Sequence, residues 1–259
     1  MLDLFAASKI SLGTVKFGRN QGVKYPQSFV IPQLEQLADL LDLAQDLGIN
    51  LIDTAPAYGD SEAKLGKLLA GKRDKRLLST KVGEQFSGGI SQFDFSESAV
   101  VSSVHQSLQR LNTDYLDCVL VHSDGNDLEI INQYGVLDVL ANLKQEGLIR
   151  YVGMSTKTSA GTTKVLEQAD GVMIEYNLAQ DAATAAQQRE LIDFAKQTNK
   201  FVFIKKAFNS GKLTTSGNIE DVFKLIYGEA GVTSTIVGSI NPEHLKQNVA
   251  VCKAVIDSC

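Results

Sequence analysis

Apolar positions along this chain follow two spacings in turn. Short runs rich in aliphatic and β-branched residues predict strands at Ile10–Val15, Ile49–Asp53, Arg76–Val82, Tyr115–Val121, Ile149–Met154, Gly171–Tyr176, Phe201–Lys206 and Ser234–Val237. Between them the spacing becomes helical. Leu34, Leu37, Leu40, Leu41, Ala44 and Leu47 make one such face, closed by Gly48, and others span Val100–Leu111, Val136–Leu143, Leu191–Ala195 and Leu245–Val255. The run Cys118-Val119-Leu120-Val121 is apolar at successive positions, as in a strand covered on both faces. Strands that alternate with helices over 259 residues predict an α/β protein, one (β/α)8 TIM barrel domain over residues 1–259. A doubly wound open sheet is the structural alternative. It is weakened because no Gly-x-Gly-x-x-Gly follows the first strand.

Composition narrows the functional classes. The chain is 44% hydrophobic and 21% charged, which excludes disordered and collagen-like chains and disulfide scaffolds. Thirty acidic residues against 25 basic ones give a net charge of −5, so neither nucleic acid nor an anionic membrane is an expected partner. No stretch approaches the ~18–20 uncharged apolar residues that span a bilayer. Met1-Leu2-Asp3-Leu4 carries an acid where a signal peptide carries bases. Cys118, Cys252 and Cys259 lack metal-ligand spacing and read as free thiols, which points to a cytoplasmic location.

Barrels of this kind carry their chemistry at the C-terminal ends of the strands. Here those ends bear Asp53, Lys81, His122, Ser155 and the run Glu175-Tyr176-Asn177. Taken singly, Asp53 could cap a turn, Lys81 could be solvated and His122 could be a hydrogen-bonded loop residue. A carboxylate, an amine and an imidazole after consecutive predicted strands instead point to one shared rim.

The segment Asn50-Leu51-Ile52-Asp53-Thr54-Ala55-Pro56-Ala57-Tyr58-Gly59 resembles the signature of the aldo-keto reductase superfamily. Family-like pieces follow in order: Ser79-Thr80-Lys81-Val82, Asp114-Tyr115-Leu116-Asp117 through Val121-His122-Ser123, and Arg150-Tyr151-Val152-Gly153-Met154-Ser155. Then come Glu175-Tyr176-Asn177 and Val237-Gly238-Ser239-Ile240-Asn241-Pro242-Glu243-His244. The resemblance runs from Gly13 to about Asn248.

It implies reduction of a small aldehyde or ketone by a nicotinamide cofactor. Tyr58 matches the general acid, Lys81 the cation that favours its phenolate, Asp53 the partner of that lysine, and His122 the imidazole that orients the carbonyl. The histidine favours carbonyl chemistry over the side branch that reduces steroid double bonds, where glutamate stands instead. Implied cofactor contacts are Gly13, Thr14 and Asp53, then Ser155 and Thr156 for the carboxamide, with Glu175 beside them and Tyr176 stacked on the nicotinamide. Phe208, Ser210, Gly211 and Leu213 follow, with Gly238, Ser239, His244, Gln247 and Asn248 at the phosphate end. The N-terminal amides of a helix beginning near Asn241-Pro242 suit an anion.

Departures from the family pattern are informative. Thr156 stands where asparagine is common and Glu175 where glutamine is. An ionised Glu175 accepts hydrogen bonds but donates none. Neither the lysine common near Gly238 nor the arginine common near His244 is present, so NADPH is the expected cofactor with a weakened preference over NADH. The last predicted helix closes near Cys259, which implies a site without a long C-terminal lid. Phe17, Tyr25, Phe86 and Phe93 are candidate walls of an open, permissive pocket. Oligomeric state is not legible in the sequence. Two other functions fit parts of the pattern: a Schiff-base lyase using Lys81 or the Lys205-Lys206 pair, and a nicotinamide-binding sensor with slow turnover.

Overall fold

The computed structural model describes residues 2–214 and 219–258. Eight parallel strands close into a barrel: β1 (Ile10–Gly13), β2 (Leu51–Asp53), β3 (Leu77–Val82), β6 (Leu116–His122), β7 (Ile149–Ser155), β8 (Gly171–Glu175), β9 (Phe201–Lys205) and β10 (Ser234–Val237). Around the ring they run β1-β10-β9-β8-β7-β6-β3-β2. Two further strands, β4 (Glu84–Ser87) and β5 (Ile90–Phe93), form an antiparallel hairpin beyond β3. The predicted strands are present, with ends shifted by one or two residues. The main helices are α1 (Val15–Gly18), α2 (Leu34–Asp46), α3 (Ser61–Leu68), α4 (Glu97–Leu111), α5 (Asp127–Asn132), α6 (Val136–Gln145), α7 (Ser159–Gln168), α8 (Ala182–Gln197), α9 (Ile219–Tyr227) and α10 (Pro242–Asp257). Cys259 and residues 215–218 lie outside the described residues, so the expected end of the last helix is seen only to Asp257.

Two apolar clusters follow from the period-two alternation of strand side chains. Val119, Val121, Ile174 and Ile204 point outward and meet the helices, together with Leu37, Leu40, Leu41 and Ala44 of α2. Leu51, Leu77, Cys118, Leu120, Met173, Phe201 and Phe203 point inward and fill the barrel, with Leu4 and Ala7 packed among them. Gly171 makes room for this filling. A Cβ there would lie 2.4 Å from the Phe201 ring and 2.2 Å from its carbonyl oxygen.

The same alternation sets the rim. Two residues beyond the last inward apolar position of each strand, the chain again faces inward. Leu51 is followed by Asp53, Leu120 by His122, Met173 by Glu175 and Phe203 by Lys205, and Leu77 by Ser79 and then Lys81. Register pairs His122 with Ser155 and Glu175 with Lys205. No helix among the described residues is long and apolar enough to cross a membrane.

Candidate active site

Tyr58 reaches the rim through a tight loop. After β2 the chain makes a single turn at Pro56–Tyr58, and Gly59 adopts φ +63°. A Cβ on Gly59 would lie 2.1 Å from the Gly18 carbonyl oxygen, and one on Gly18 would lie 2.3 Å from the Tyr58 carbonyl oxygen. Two facing glycines therefore let the Tyr58 loop lie against α1.

Lys81 and Asp53 form the buried centre. Lys81 Nζ donates to both Asp53 carboxylate oxygens at 2.7 Å and to the Thr54 carbonyl at 2.8 Å. The ammonium lies 5.1 Å from the centroid of the Tyr58 ring. Burial alone would lower the Lys81 pKa, but Asp53 and the neighbouring phenol outweigh it and hold Lys81 above the ordinary lysine value. This saturated, paired cation is a poor amine nucleophile, and the lyase reading loses Lys81 as its base of support. For Tyr58 burial wins: it raises the phenol above its ordinary value, against the pull of Lys81.

His122 meets Tyr58 edge-on, with ring centroids 6.3 Å apart and planes at 88°. Its buried Nδ1 lies 2.7 Å from Glu84 Oε2, at the start of the hairpin, which leaves Nε2 for the cavity side. Glu84 is the functional candidate that reading strand ends does not reveal, because it sits beyond the end of β3. Ser91 Oγ donates to its other oxygen at 2.6 Å, and Arg19 Nη1 lies 3.7 Å away. Burial pushes the Glu84 carboxyl up, yet His122, Ser91 and Arg19 prevail and bring it down to about 2. His122 is lowered chiefly by burial, with Lys81 and Lys205 adding to that, while Glu84 opposes. Removing the carboxylate in Glu84→Gln is therefore expected to lower the His122 pKa further. Imidazole NMR titration reads this directly, and an unchanged His122 curve would show that the pairing has no electrostatic weight.

One continuous cavity of about 1230 Å³ joins this centre to the loop after β9 and the start of α10. Asp53, Tyr58, Lys81 and His122 line it, as do Gly13, Thr14, Ser155, Thr156, Glu175, Phe208, Ser210, Gly211, Gly238, Ser239, His244, Gln247 and Asn248. Tyr176 and Leu213 do not. Tyr176 is fully buried on the outer side of the barrel, where its hydroxyl donates to Glu229 and accepts from Arg189. It is one residue out of phase with the inward-facing set, so the expected stacking role is corrected. Leu213 packs against the core.

Other expected contacts are altered in detail. The Thr156 hydroxyl bonds Thr162 at 2.7 Å, so its carbonyl rather than its side chain serves the cavity. Glu175 pairs with Lys206 at 2.6 Å and accepts from Asn177 at 3.2 Å. Beside Ser155, the inward residue of β8 is Met173. The first turn of α10 offers an anion little. Pro242 has no N–H, and the Asn241 side chain accepts from the amides of Glu243 and His244. At Gly238 a Cβ would come within 3.1 Å of the Tyr25 hydroxyl, a tight approach that the Tyr25 side chain would have to relieve.

Of the four aromatic candidates, only Tyr25 lines the cavity, with Lys16 Nζ 4.1 Å from its ring centroid. Burial, helped by Tyr58, raises its phenol to about 12. Phe17 is fully buried in the core, Phe86 stacks against the Arg19 guanidinium at 3.4 Å, and Phe93 stands on the hairpin beside Phe95.

A family model described as Aldo/keto reductase family matches residues 9–224. The chain belongs to this family. Among solved structures, an aldo-keto reductase of Pseudomonas aeruginosa is 45% identical with a TM-score of 0.86, the match covering 96% of this chain and 92% of that one. A holo aldo-keto reductase of Bacillus halodurans, 21% identical with a TM-score of 0.76 over 97% and 92% of the two chains, shares the fold. Among curated proteins, D-arabinose 1-dehydrogenase of Saccharomyces cerevisiae is 37% identical over 48% of this chain and 37% of its own length. D-threo-aldose 1-dehydrogenase of a Pseudomonas species is 27% identical over 68% of this chain and 61% of its own. The chain thus spans between about a third and about three fifths of these two curated relatives. Within the aldo/keto reductase barrel, the rim described above is the part where Asp53, Tyr58, Lys81 and His122 converge.

Proposed function

We propose that this aldo/keto reductase family member, working as one barrel domain, reduces small aldehydes or ketones to alcohols with NADPH, and with NADH as a possible second cofactor. The observation that carries the reading is the convergence of Asp53, Tyr58, Lys81 and His122 on one wall of a cavity large enough for a dinucleotide and a small substrate. The lining charge agrees. In a chain of net charge −5, Lys16, Lys24, Lys81, Lys157, Lys205 and Lys206 face this cavity, against Asp53 and Glu175. An anionic ligand fits such a wall.

The nicotinamide, when bound, supplies hydride or takes it back. The protein's own groups handle the rest. Tyr58, kept protonated by burial, gives its proton to the carbonyl oxygen. Lys81, held by Asp53, steadies the phenolate that this leaves behind. His122, fixed by Glu84, borders the same space and orients the carbonyl. Ser155 offers a hydroxyl for the carboxamide. The lysines of this wall other than Lys81 and Lys205, rather than the amides of α10, are the donors for the phosphates. With no cation at Gly238 or His244, preference for NADPH is expected to be modest.

Relatives named as aldose dehydrogenases suggest hydroxylated carbonyls among the substrates to test. The free thiols of Cys118 and Cys252 suit a reducing cytoplasm. Parallel fluorescence titrations with NADPH and NADH, followed by a reactive aromatic aldehyde at saturation, test the reading. Binding followed by cofactor consumption is the expected result. Binding without consumption across a carbonyl panel would favour the sensor reading, and no binding would sink both.

A further inference from the structure

Lys205 is a charged group on the rim that the chemistry above leaves unused. On β9 the inward positions run Phe201, Phe203 and Lys205, so the alternation that fills the barrel with two rings carries an amine to the cavity wall. Its Nζ donates to Ser155 Oγ and to the Thr156 carbonyl, each at 2.8 Å. Both acceptors are neutral, and an ammonium has a third N–H to give. Glu175, its register partner, is paired with Lys206 instead.

The charged groups around Lys205 come from four neighbouring segments. Lys206 and Lys157 disfavour its charge, Glu175 and Asp127 favour it, and His122 across the cavity is itself lowered in part by Lys205. The Asp127 carboxylate is already engaged by Ser123, by the Lys157 amide and by Thr158. Burial, followed by Lys206, brings the amine down to about 7. Small changes of nearby charge therefore change its protonation near neutrality.

We propose that Lys205 discriminates between the redox states of the nicotinamide, disfavouring the oxidised cofactor and leaving the reduced one unaffected. The inference rests on the reading that a nicotinamide binds in this cavity with its carboxamide at Ser155, the residue Lys205 holds. An oxidised nicotinamide ring carries a positive charge and a reduced ring none. An ammonium on Ser155 repels only the former, and the repulsion is little screened inside a cavity. By linkage, the oxidised cofactor in turn disfavours the Lys205 proton, so its binding releases protons near neutrality. The sign follows. As pH rises through the Lys205 pKa, the ammonium is lost and the oxidised cofactor gains affinity, while the reduced cofactor does not. At neutral or lower pH the site holds the reduced form and expels the oxidised one, which favours reduction with fast product exchange.

The test measures dissociation constants of NADP+ and NADPH between pH 6 and pH 8.5 by calorimetry, in two buffers of different ionisation enthalpy. Taking their ratio cancels groups that act on the shared phosphates, His244 and Lys206 among them. For the wild-type protein the ratio Kd(NADP+)/Kd(NADPH) is expected to fall roughly five- to tenfold across this range, as coupling by about one pKa unit or more gives for an amine brought down to about 7. Protons should be released on binding NADP+ but not NADPH. Lys205→Met should bring the ratio at pH 6 down to its alkaline value and abolish proton release. Lys205→Arg, which stays charged, should keep the ratio high and flat with pH. A wild-type ratio that does not change with pH, or equal weakening of both cofactors in Lys205→Met, would overturn the inference and leave the nicotinamide reading intact. Failure of the wild-type protein to bind either cofactor would overturn both.

Discussion

Replacing Tyr58 with phenylalanine is expected to lower kcat/KM for carbonyl reduction by about 10²–10⁴-fold, the usual contribution of a positioned general acid. The substitution removes one hydroxyl and keeps the ring that meets His122 at 6.3 Å. The fold should therefore be unchanged by circular dichroism, and cofactor affinity nearly so. The pH profile carries a second prediction of the same role. Burial raises the Tyr58 pKa above the ordinary tyrosine value, so the phenol remains a proton donor across the neutral range and into the alkaline. Reduction should hold steady over that range and decline only as pH passes the raised value, while alcohol oxidation, which needs the phenolate, should grow in the same direction. Steady-state assays of both directions at saturating cofactor measure this. Full turnover by Tyr58→Phe would remove Tyr58 from the chemistry.

Lys81→Met should be the most damaging single change to stability among the rim residues. The Lys81 and Asp53 side chains are only 2% and 3% exposed, and the Lys81 ammonium satisfies both carboxylate oxygens. Losing one member of such a pair leaves a buried charge without a partner, at a cost of about 3–5 kcal/mol. The double replacement Asp53→Asn with Lys81→Met should recover a large part of this, because no uncompensated charge remains. The folded-state pKa of Lys81 is raised above 10.5, so the pair stabilises the fold fully below that pH and loses its contribution only as pH climbs through the raised value. The contribution of the intact pair to wild-type stability should accordingly be constant from about pH 6 to pH 10. Urea unfolding of the wild-type, single and double variants measures it, and additive losses would show that the charges are not coupled. Activity should fall together with stability, since the same ammonium stands beside Tyr58.

Much of this site is written into local sequence. The strands and their polar ends follow from runs such as Cys118–Val121, because a strand buried on both faces must be continuously apolar until it reaches solvent. Asp53, Lys81, His122 and Ser155 stand where those runs stop, and they do meet at one rim. Parity along a strand is equally local, and it separates Lys205 from Tyr176. Counting in twos from the inward Phe201 and Phe203 reaches Lys205, whereas counting from the inward Met173 reaches Glu175 and leaves Tyr176 outside. A strand boundary misplaced by one residue is enough to invert that assignment. The hairpin was not among the predicted elements, although its two-residue turn, Gly88-Gly89 with φ +59° and +84°, carries a local signal.

What the sequence by itself determined is therefore the barrel, its strands and the polar residues at their ends, because these depend on periodicities shorter than one element, while Tyr58 entered through the resemblance carried by residues 50–59. Only the tertiary structure decided which groups tune them. Glu84 meets His122 because β3 pairs with β6, Val82 beside Val121, and the chain enters the hairpin two residues further on. Lys205 comes to rest on Ser155 from a strand fifty residues away. Each of these is a contact between segments remote along the chain, where the deciding quantity is a distance, and no spacing within either segment encodes it.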